Sequence, residues 1–471
     1  MDRWIINAPR WLMLTALVYA PWAYGSTRDW ALTGLHGLLG AVVLLWFVSY
    51  LLQQRWPEVH PVMAVSVAGL MLHGWFMVLN AKYDYDPLVQ EFVPLTPLIA
   101  WAPGSLHRAL SMENAIQVSL MLCSLFAIAD MVQSSTWRRR LLWTMGLTGL
   151  SIVILGLAQR FTHAPGIFWA KEGLGENFFA TWRNHTNAGT FMNIVWPVMA
   201  GLAVIAFLRE ARLWKKTLWC VATILSLTAM MVNTSRAAAA LAVLLALTWG
   251  GWLMWQFFRG RFTGMSPTAA LSTGIVLVVL VGGMAALVGL DSSLRRWKQF
   301  DNQLTGDNSR LLAAQVCLKM IPEAGPMGFG PGTFQTAFPY FTHDFDKQLR
   351  GKWIFAHQDY LQTLTEWGYV GSAGWATLIF GGVFSSVRRA FRHRRHLSDS
   401  ARALHFTILT ALAGVLLHAL VDFPLQIASI QLNVIALLGM LWSSKSWLHN
   451  SKKHVPGRRE VKPVEELACA A

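Results

Sequence analysis

Runs of eighteen or more predominantly apolar residues recur along this chain. Wound as a helix, such a run crosses the ~30 Å hydrocarbon core of a bilayer. Lipid offers backbone N–H and C=O groups no partner, so only helices or a closed barrel can span it. The runs lack the period-two alternation of barrel strands. The expected fold is therefore all-α, a polytopic membrane protein with about twelve transmembrane helices. They fall near 9–24, 30–52, 61–80, 112–132, 140–160, 187–208, 214–232, 236–257, 268–290, 367–386, 403–421 and 426–444. Arg3 and Arg10 precede the first run, and no small-residue cleavage site follows it, so it reads as a retained span.

The net charge of +15 raises the question of nucleic acid, but its distribution answers in terms of topology. Lys and Arg concentrate in alternate connections, including Arg138-Arg139-Arg140 and the run from Arg388 to Arg395. Short basic connections stay in the cytoplasm. Both termini are therefore expected inside, with 446–471 as a basic tail, and no nucleic-acid partner is expected. Cys123, Cys220, Cys317 and Cys469 are scattered through spans, loop and tail, with no CxxC pair for zinc.

This orientation sends one long polar stretch, Asp291 to Glu366, to the outer face, periplasmic in a bacterium. Connections of that length inside a compact protein are functional or disordered. Trp297, Phe329, Phe334, Phe338, Tyr340 and Phe341 are mixed with its charges, so a folded cap is expected. The chain divides into helices 1–9 over 1–290, the loop domain 291–366, helices 10–12 over 367–445, and the tail. Within the loop, Gly325 to Phe334 is glycine-rich but follows no strand and contains Pro331, so it reads as a turn carrying backbone toward the active face. Asp84/Asp86 and Asp344/Asp346 read as solvated turns, not as metal ligands.

Candidate chemistry collects at the outer ends of the spans. Arg183 sits in Trp182-Arg183-Asn184-His185-Thr186-Asn187, and Arg236 follows Thr234-Ser235 and opens a span with four alanines. An arginine there also snorkels to lipid headgroups, yet two guanidinium forks suit bidentate binding of a diphosphate. His418 and Asp422, four apart near the end of span eleven, are candidates to pair across one helical face. His357 stands out in His357-Gln358-Asp359-Tyr360-Leu361. If 356–366 is helical, His357 shares a face with Tyr360 and Leu361 while Asp359 and Glu366 point away. Its orienting partner then comes from elsewhere in the chain.

Together these motifs resemble the family of O-antigen ligases, O-antigen polymerases and protein O-oligosaccharyltransferases. The resemblance runs from Arg183 to about Asn433 and includes Asn308-Ser309-Arg310, Gly328 to Phe334, and His418 to Phe423. Gln358 stands where the family more often has Asn. The resemblance implies a metal-independent, inverting membrane glycosyltransferase that uses no cofactor. Its donor would be a glycan on undecaprenyl diphosphate. Its acceptor would be lipid A-core, a growing glycan or a protein side chain, with membrane lipids as surroundings. Arg183, Arg236 and Arg310 would hold the diphosphate and His357 would be the base, with its alternative role as a diphosphate ligand left open. His185, Asn187, Asp359, Tyr360, His418 and Asp422 would support them. A lipid-linked glycan transporter or flippase is the rival from another class. It predicts internal repeats with interrupted helices at mid-membrane, a pattern that does not emerge from the sequence.

Overall fold

The computed structural model describes residues 3–54, 56–171, 177–260, 282–283, 309–343, 349 and 351–448. Among these residues the regular elements are helices, apart from one short hairpin and an isolated bridge between Phe179 and Trp182. The helices are α1 (Arg3–Trp22), α2 (Asp29–Gln53), α3 (Pro61–Leu79), α4 (Arg108–Met131), α5 (Ser135–Phe161), α6 (His185–Leu208), α7 (Leu213–Val232) and α8 (Arg236–Phe258). After the long loop begins, they continue as α9 (Ser309–Ala324), α10 (Phe334–Ala337), α11 (Asp359–Arg392), α12 (Asp399–His418) and α13 (Ala428–Trp442).

Nine of them, α2 to α8, α11 and α12, are long and apolar enough to cross a membrane. Expected spans one and twelve correspond to α1 and α13. Helix α13 has only 15 residues, nearly all buried, and is extended by 3-10 turns at Pro424–Gln426 and Ser443–Ser446. A helix apolar on every side belongs at the centre of a bundle. Expected span nine, 268–290, lies outside the described residues except for 282–283.

Side-chain caps set the starts of several helices. Asn184 accepts the Thr186 N–H (2.9 Å) before α6, Ser235 accepts Ala238 N–H before α8, and Ser398 accepts Ala401 N–H before α12. Each satisfies a donor that the first helical turn leaves without a partner.

The loop domain has its own core where it is described. Ala313, Val316, Cys317 and Met320 of α9 are buried with Phe334, Phe338 and Ala356. Phe329, Phe341 and Trp353 pack around them, so the aromatic residues of this stretch form a folded cap. Tyr340 is exposed, and Trp297 lies outside the described residues.

Three sequence expectations are corrected. The expected solvated turn at Asp84 is instead part of a hairpin, with Tyr83–Asp86 pairing antiparallel to Glu91–Pro94. Asp84 Oδ1 accepts the Ala109 N–H (3.1 Å) and lies 3.8 Å from His107 Nε2, which ties the hairpin to α4. Asp86 does serve the turn, accepting the Leu88 N–H at 2.8 Å. Second, α11 begins at Asp359, so His357 lies outside the helix with φ of +53°. Third, the expected His418–Asp422 side-chain pair does not form. Asp422 N–H still donates to the His418 carbonyl (3.1 Å), but the side chains take other partners, His418 Nδ1 meeting Thr190 Oγ1 (2.7 Å) and Asp422 Oδ1 meeting His357 Nδ1 (3.0 Å).

Candidate functional site

Asp422 lies just past α12, with 1% of its surface exposed. Its Oδ1 accepts the Phe423 N–H (3.0 Å) and stands 3.0 Å from His357 Nδ1, 65 residues earlier in the chain. In the neutral ring, Nδ1–H then donates to the carboxylate and Nε2 carries the lone pair. The imidazole is edge-on to Phe423 (4.7 Å) and to Trp353 (5.8 Å). Its side chain remains 26% exposed, and Nε2 has no hydrogen-bond partner among the described residues. Arg310 reaches the same carboxylate, with Nη1 3.8 Å from Asp422 Oδ2 and 3.4 Å from the Val421 carbonyl. Burial alone would raise the pKa of Asp422. The His357 hydrogen bond and the positive charge of Arg310 outweigh it and hold the carboxyl below the usual aspartate range. The site is thus an ionised carboxylate orienting an imidazole, with a guanidinium beside it.

The left-handed backbone at His357 costs a non-glycine residue on the order of 1–3 kcal/mol and survives only where neighbours enforce it. Here α11 enforces it. Gln358 caps the helix by accepting the Leu361 N–H, and Gln362 Oε1 accepts the Ala356 N–H at 3.0 Å. Asp359 is fully buried and reaches across to the Asp422 loop. Its Oδ2 accepts the Leu425 N–H (2.8 Å), its Oδ1 accepts from Gln426 Nε2 (2.9 Å), and its own N–H donates to the Ala419 carbonyl (3.0 Å). Tyr360 donates its hydroxyl to the Leu416 carbonyl at 2.7 Å. Asp359 and Tyr360 therefore position the Asp422 loop against His357.

The arginines arrive from the neighbouring helix starts. Asn233 Nδ2 donates to the His185 carbonyl (3.0 Å), and Asn233 Oδ1 accepts the Ser235 N–H (2.9 Å). These bonds staple the start of α6 to that of α8. The pair also meets closely: a Cβ at Gly189 would come within 2.4 Å of Ala238. Arg183, just before α6, is exposed, and Arg236 opens α8. His185 Nδ1 lies 3.1 Å from the Asn177 carbonyl, while Asn187 is buried in the first turn of α6. One turn further, Thr190 stands 2.7 Å from His418 Nδ1. So α6 links the arginine pair to α12 and thereby to Asp422, and these candidates share one end of the bundle.

The glycine-rich turn docks onto α11. Phe329 N–H donates to the Thr365 carbonyl (2.9 Å) and Gly330 N–H to that of Glu366 (3.0 Å). Gly328 (φ +81°) and Gly368 (φ +60°) meet so closely that a Cβ on Gly328 would lie 2.3 Å from the Glu366 carbonyl oxygen. The buried Glu366 carboxylate accepts from Phe334 N–H and Gln362 Nε2, both at 3.1 Å. Among the described residues, no group of three or more His, Cys, Asp or Glu side chains is placed to hold a metal ion. Asp344 and Asp346 lie outside those residues.

A family profile described as O-antigen ligase matches residues 221–376. Residues 221–376, about a third of the chain, are similar to an O-antigen ligase domain. No curated protein matches the chain. The matched region runs from α7 into α11 and contains Arg236, Arg310, His357, Asp359 and Tyr360. It begins after Arg183 and ends before His418 and Asp422, so the partner of its histidine comes from outside the matched residues. The matched profile is one of O-antigen ligases, and nine described helices long and apolar enough to cross a membrane give the chain the form of a multi-pass membrane protein.

Sequence reasoning named Asp422 but gave it the wrong partner. It named Asn233 only as the start of the turn Asn233-Thr234-Ser235-Arg236, and did not single out Thr190, Trp353 or Gln426 at all. Asn233 was open to notice, since it stands two residues before the Ser235 cap. The other three carry no local signal.

Proposed function

We propose that this protein transfers a glycan from an undecaprenyl-diphosphate carrier to an acceptor hydroxyl at the periplasmic face, with lipid A-core as the acceptor. The observation that carries this reading is the His357–Asp422 pair with Arg310 at its edge, His357 and Arg310 lying inside the region similar to O-antigen ligases. Both termini would then be cytoplasmic, in keeping with the basic connections at the opposite end.

The reaction needs one proton removed and one charge stabilised. His357 Nε2 takes the proton of the acceptor hydroxyl as that oxygen attacks the anomeric carbon. The bond from that carbon to the diphosphate oxygen breaks, and the lipid diphosphate leaves with the electron pair. A single displacement inverts the anomeric configuration. Asp422 holds the ring in the tautomer with its lone pair at Nε2 and stabilises the imidazolium that forms. Arg183, Arg236 and Arg310 supply fixed positive charge to the departing diphosphate, which is worth most where it is already in place. The imidazolium afterwards returns its proton to solvent or to the released diphosphate. No metal or nucleotide enters these steps.

The reading is tested with purified full-length protein, a lipid-linked oligosaccharide donor and lipid A-core in one vesicle. Appearance of glycan-bearing lipid A-core is expected. Elongated donor with lipid A-core untouched would make the protein a polymerase. Donor movement across the bilayer with no new glycosidic bond would make it a transporter.

A further inference from the structure

A cavity lies at the other end of the molecule from the candidate transfer site. The candidate transfer site uses the start of α6 and the end of α12. The cavity sits where α6 ends and α12 begins, and encloses about 470 Å³. Arg138, Arg139, Arg209 and Lys215 line it. Among the described residues none of these four has a carboxylate partner. Neutral groups hold three of them instead. Arg138 donates to the Val132 carbonyl (2.8 Å), Arg209 Nε to Ser400 Oγ (3.4 Å), and Lys215 lies over the Trp143 and Trp214 rings.

Backbone adds to the side chains. Helices α5, α7 and α12 all begin at this cavity, through Ser135 and Thr136, Lys215, and Ser400. The residues before α5 and α7, Ser134 and Arg212, give no side-chain cap. The uncapped N–H groups at those starts, and the positive ends of the helix dipoles, favour an anion. Ser398 and Ser446 also line it, and an apolar wall is formed by Leu142, Trp143, Leu202, Ile205, Trp219 and Leu404. Four cations above an apolar wall describe an amphipathic anion. A soluble phosphate would leave that wall wet.

We propose that this cavity binds the phosphate headgroup of an anionic phospholipid, with an acyl chain laid along the apolar wall. The lipid is a structural ligand on the membrane face opposite the transfer site, and the inference stands independently of what that site transfers. A ligand that binds only the folded protein stabilises it in proportion to its saturation.

The test uses full-length protein in a neutral detergent, titrated separately with phosphatidylglycerol, phosphatidylcholine and glycerol phosphate while thermal unfolding is followed. Phosphatidylglycerol should raise the midpoint saturably, and the other two should not. The Arg139→Gln/Arg209→Gln variant loses two exposed charges, so it keeps the fold. It should need about 30-fold more phosphatidylglycerol for the same shift, at ~1 kcal/mol per surface cation. An Arg394→Gln/Arg395→Gln control removes equal charge from the same end, outside the cavity, and should titrate like the wild type. Equal loss in both variants, an equal shift with phosphatidylcholine, or a glycerol phosphate shift matching the lipid would each overturn the proposal.

Discussion

Replacing Asp422 by Asn and by Ala separates the charge of this carboxylate from its geometry. Its Oδ1 already accepts the Phe423 N–H, so an Asn side chain keeps its oxygen there and still meets His357 Nδ1–H. The imidazole stays oriented, and only the negative charge is lost. A hydrogen bond to a charged partner contributes about 1.5–3 kcal/mol against about 0.5–1.5 for a neutral one. The difference, about 1–1.5 kcal/mol, corresponds to roughly a tenfold fall in turnover. Asp422→Ala removes the acceptor and frees the ring to rotate, so turnover should fall about 10²- to 10⁴-fold, as for loss of a general base. The His357→Ala/Asp422→Ala double variant should then be no slower than His357→Ala alone, because the two act as one unit. The assay is the initial rate from a lipid-linked donor at saturation, with donor binding measured separately. Wild-type turnover in Asp422→Ala would refute the pairing. Asn as inactive as Ala would make Asp422 itself the proton acceptor, and lost binding with unchanged turnover would make His357 a diphosphate ligand. The acid limb follows from the lowered proton affinity of Asp422. Between its folded and unfolded values the unfolded chain binds more protons, so stability rises with pH through that window. The contribution of this group is complete at neutral pH and lost below about pH 4, and Asp422→Asn should lack that component of acid unfolding.

Three further outcomes are expected. Arg183→Lys and Arg236→Lys keep the charge but lose the bidentate fork, so transfer should fall about ten- to a hundredfold at normal protein levels; wild-type rates would reduce both to interfacial anchors. Gly328→Ala forces a side chain into a left-handed backbone with its Cβ 2.3 Å from the Glu366 oxygen, so it should destabilise by more than ~1 kcal/mol, read as a lower unfolding midpoint, and an unchanged midpoint would contradict the docking of this turn. Transfer should survive exhaustive chelation, and a loss restored by a divalent cation would turn attention to Asp344 and Asp346.

The membrane bundle was legible because a span needs some twenty apolar residues and little else. Eleven of the twelve expected spans coincide with described helices, and Asn184, Ser235 and Ser398 mark starts by their side chains. The site was legible as residues but not as pairs. The i, i+4 rule joined His418 to Asp422, and the backbone keeps that turn, with Asp422 N–H on the His418 carbonyl, but long-range partners take both side chains. His418 turns to Thr190 instead, 228 residues earlier in the chain. The expectation of a helix through His357 failed for a related reason. Periodicity of apolar residues cannot report a left-handed residue, which tertiary bonds enforce. The hairpin at Tyr83–Asp86 was missed because four-residue strands are too short for alternation to rise above chance.

Those tertiary bonds also account for the long polar stretch. From the glycine-rich turn, Phe334 N–H donates to Glu366, Glu366 accepts from Gln362, and Gln362 accepts the Ala356 N–H, next to His357. From the other side, Asp359 grips Leu425 and Gln426 and so fixes the loop that presents Asp422. Both sets of bonds are anchored on the first two turns of α11, before its break at Gly368. A base placed within hydrogen-bond reach of its substrate gains from such rigidity, because a displacement of even 1 Å weakens proton transfer. The cap and the membrane helix therefore meet in one hydrogen-bonded block, whose exposed edge is His357. The buried carboxylates Asp359 and Glu366 serve that block by accepting backbone and amide protons, which leaves Asp422 as the carboxylate in contact with the imidazole.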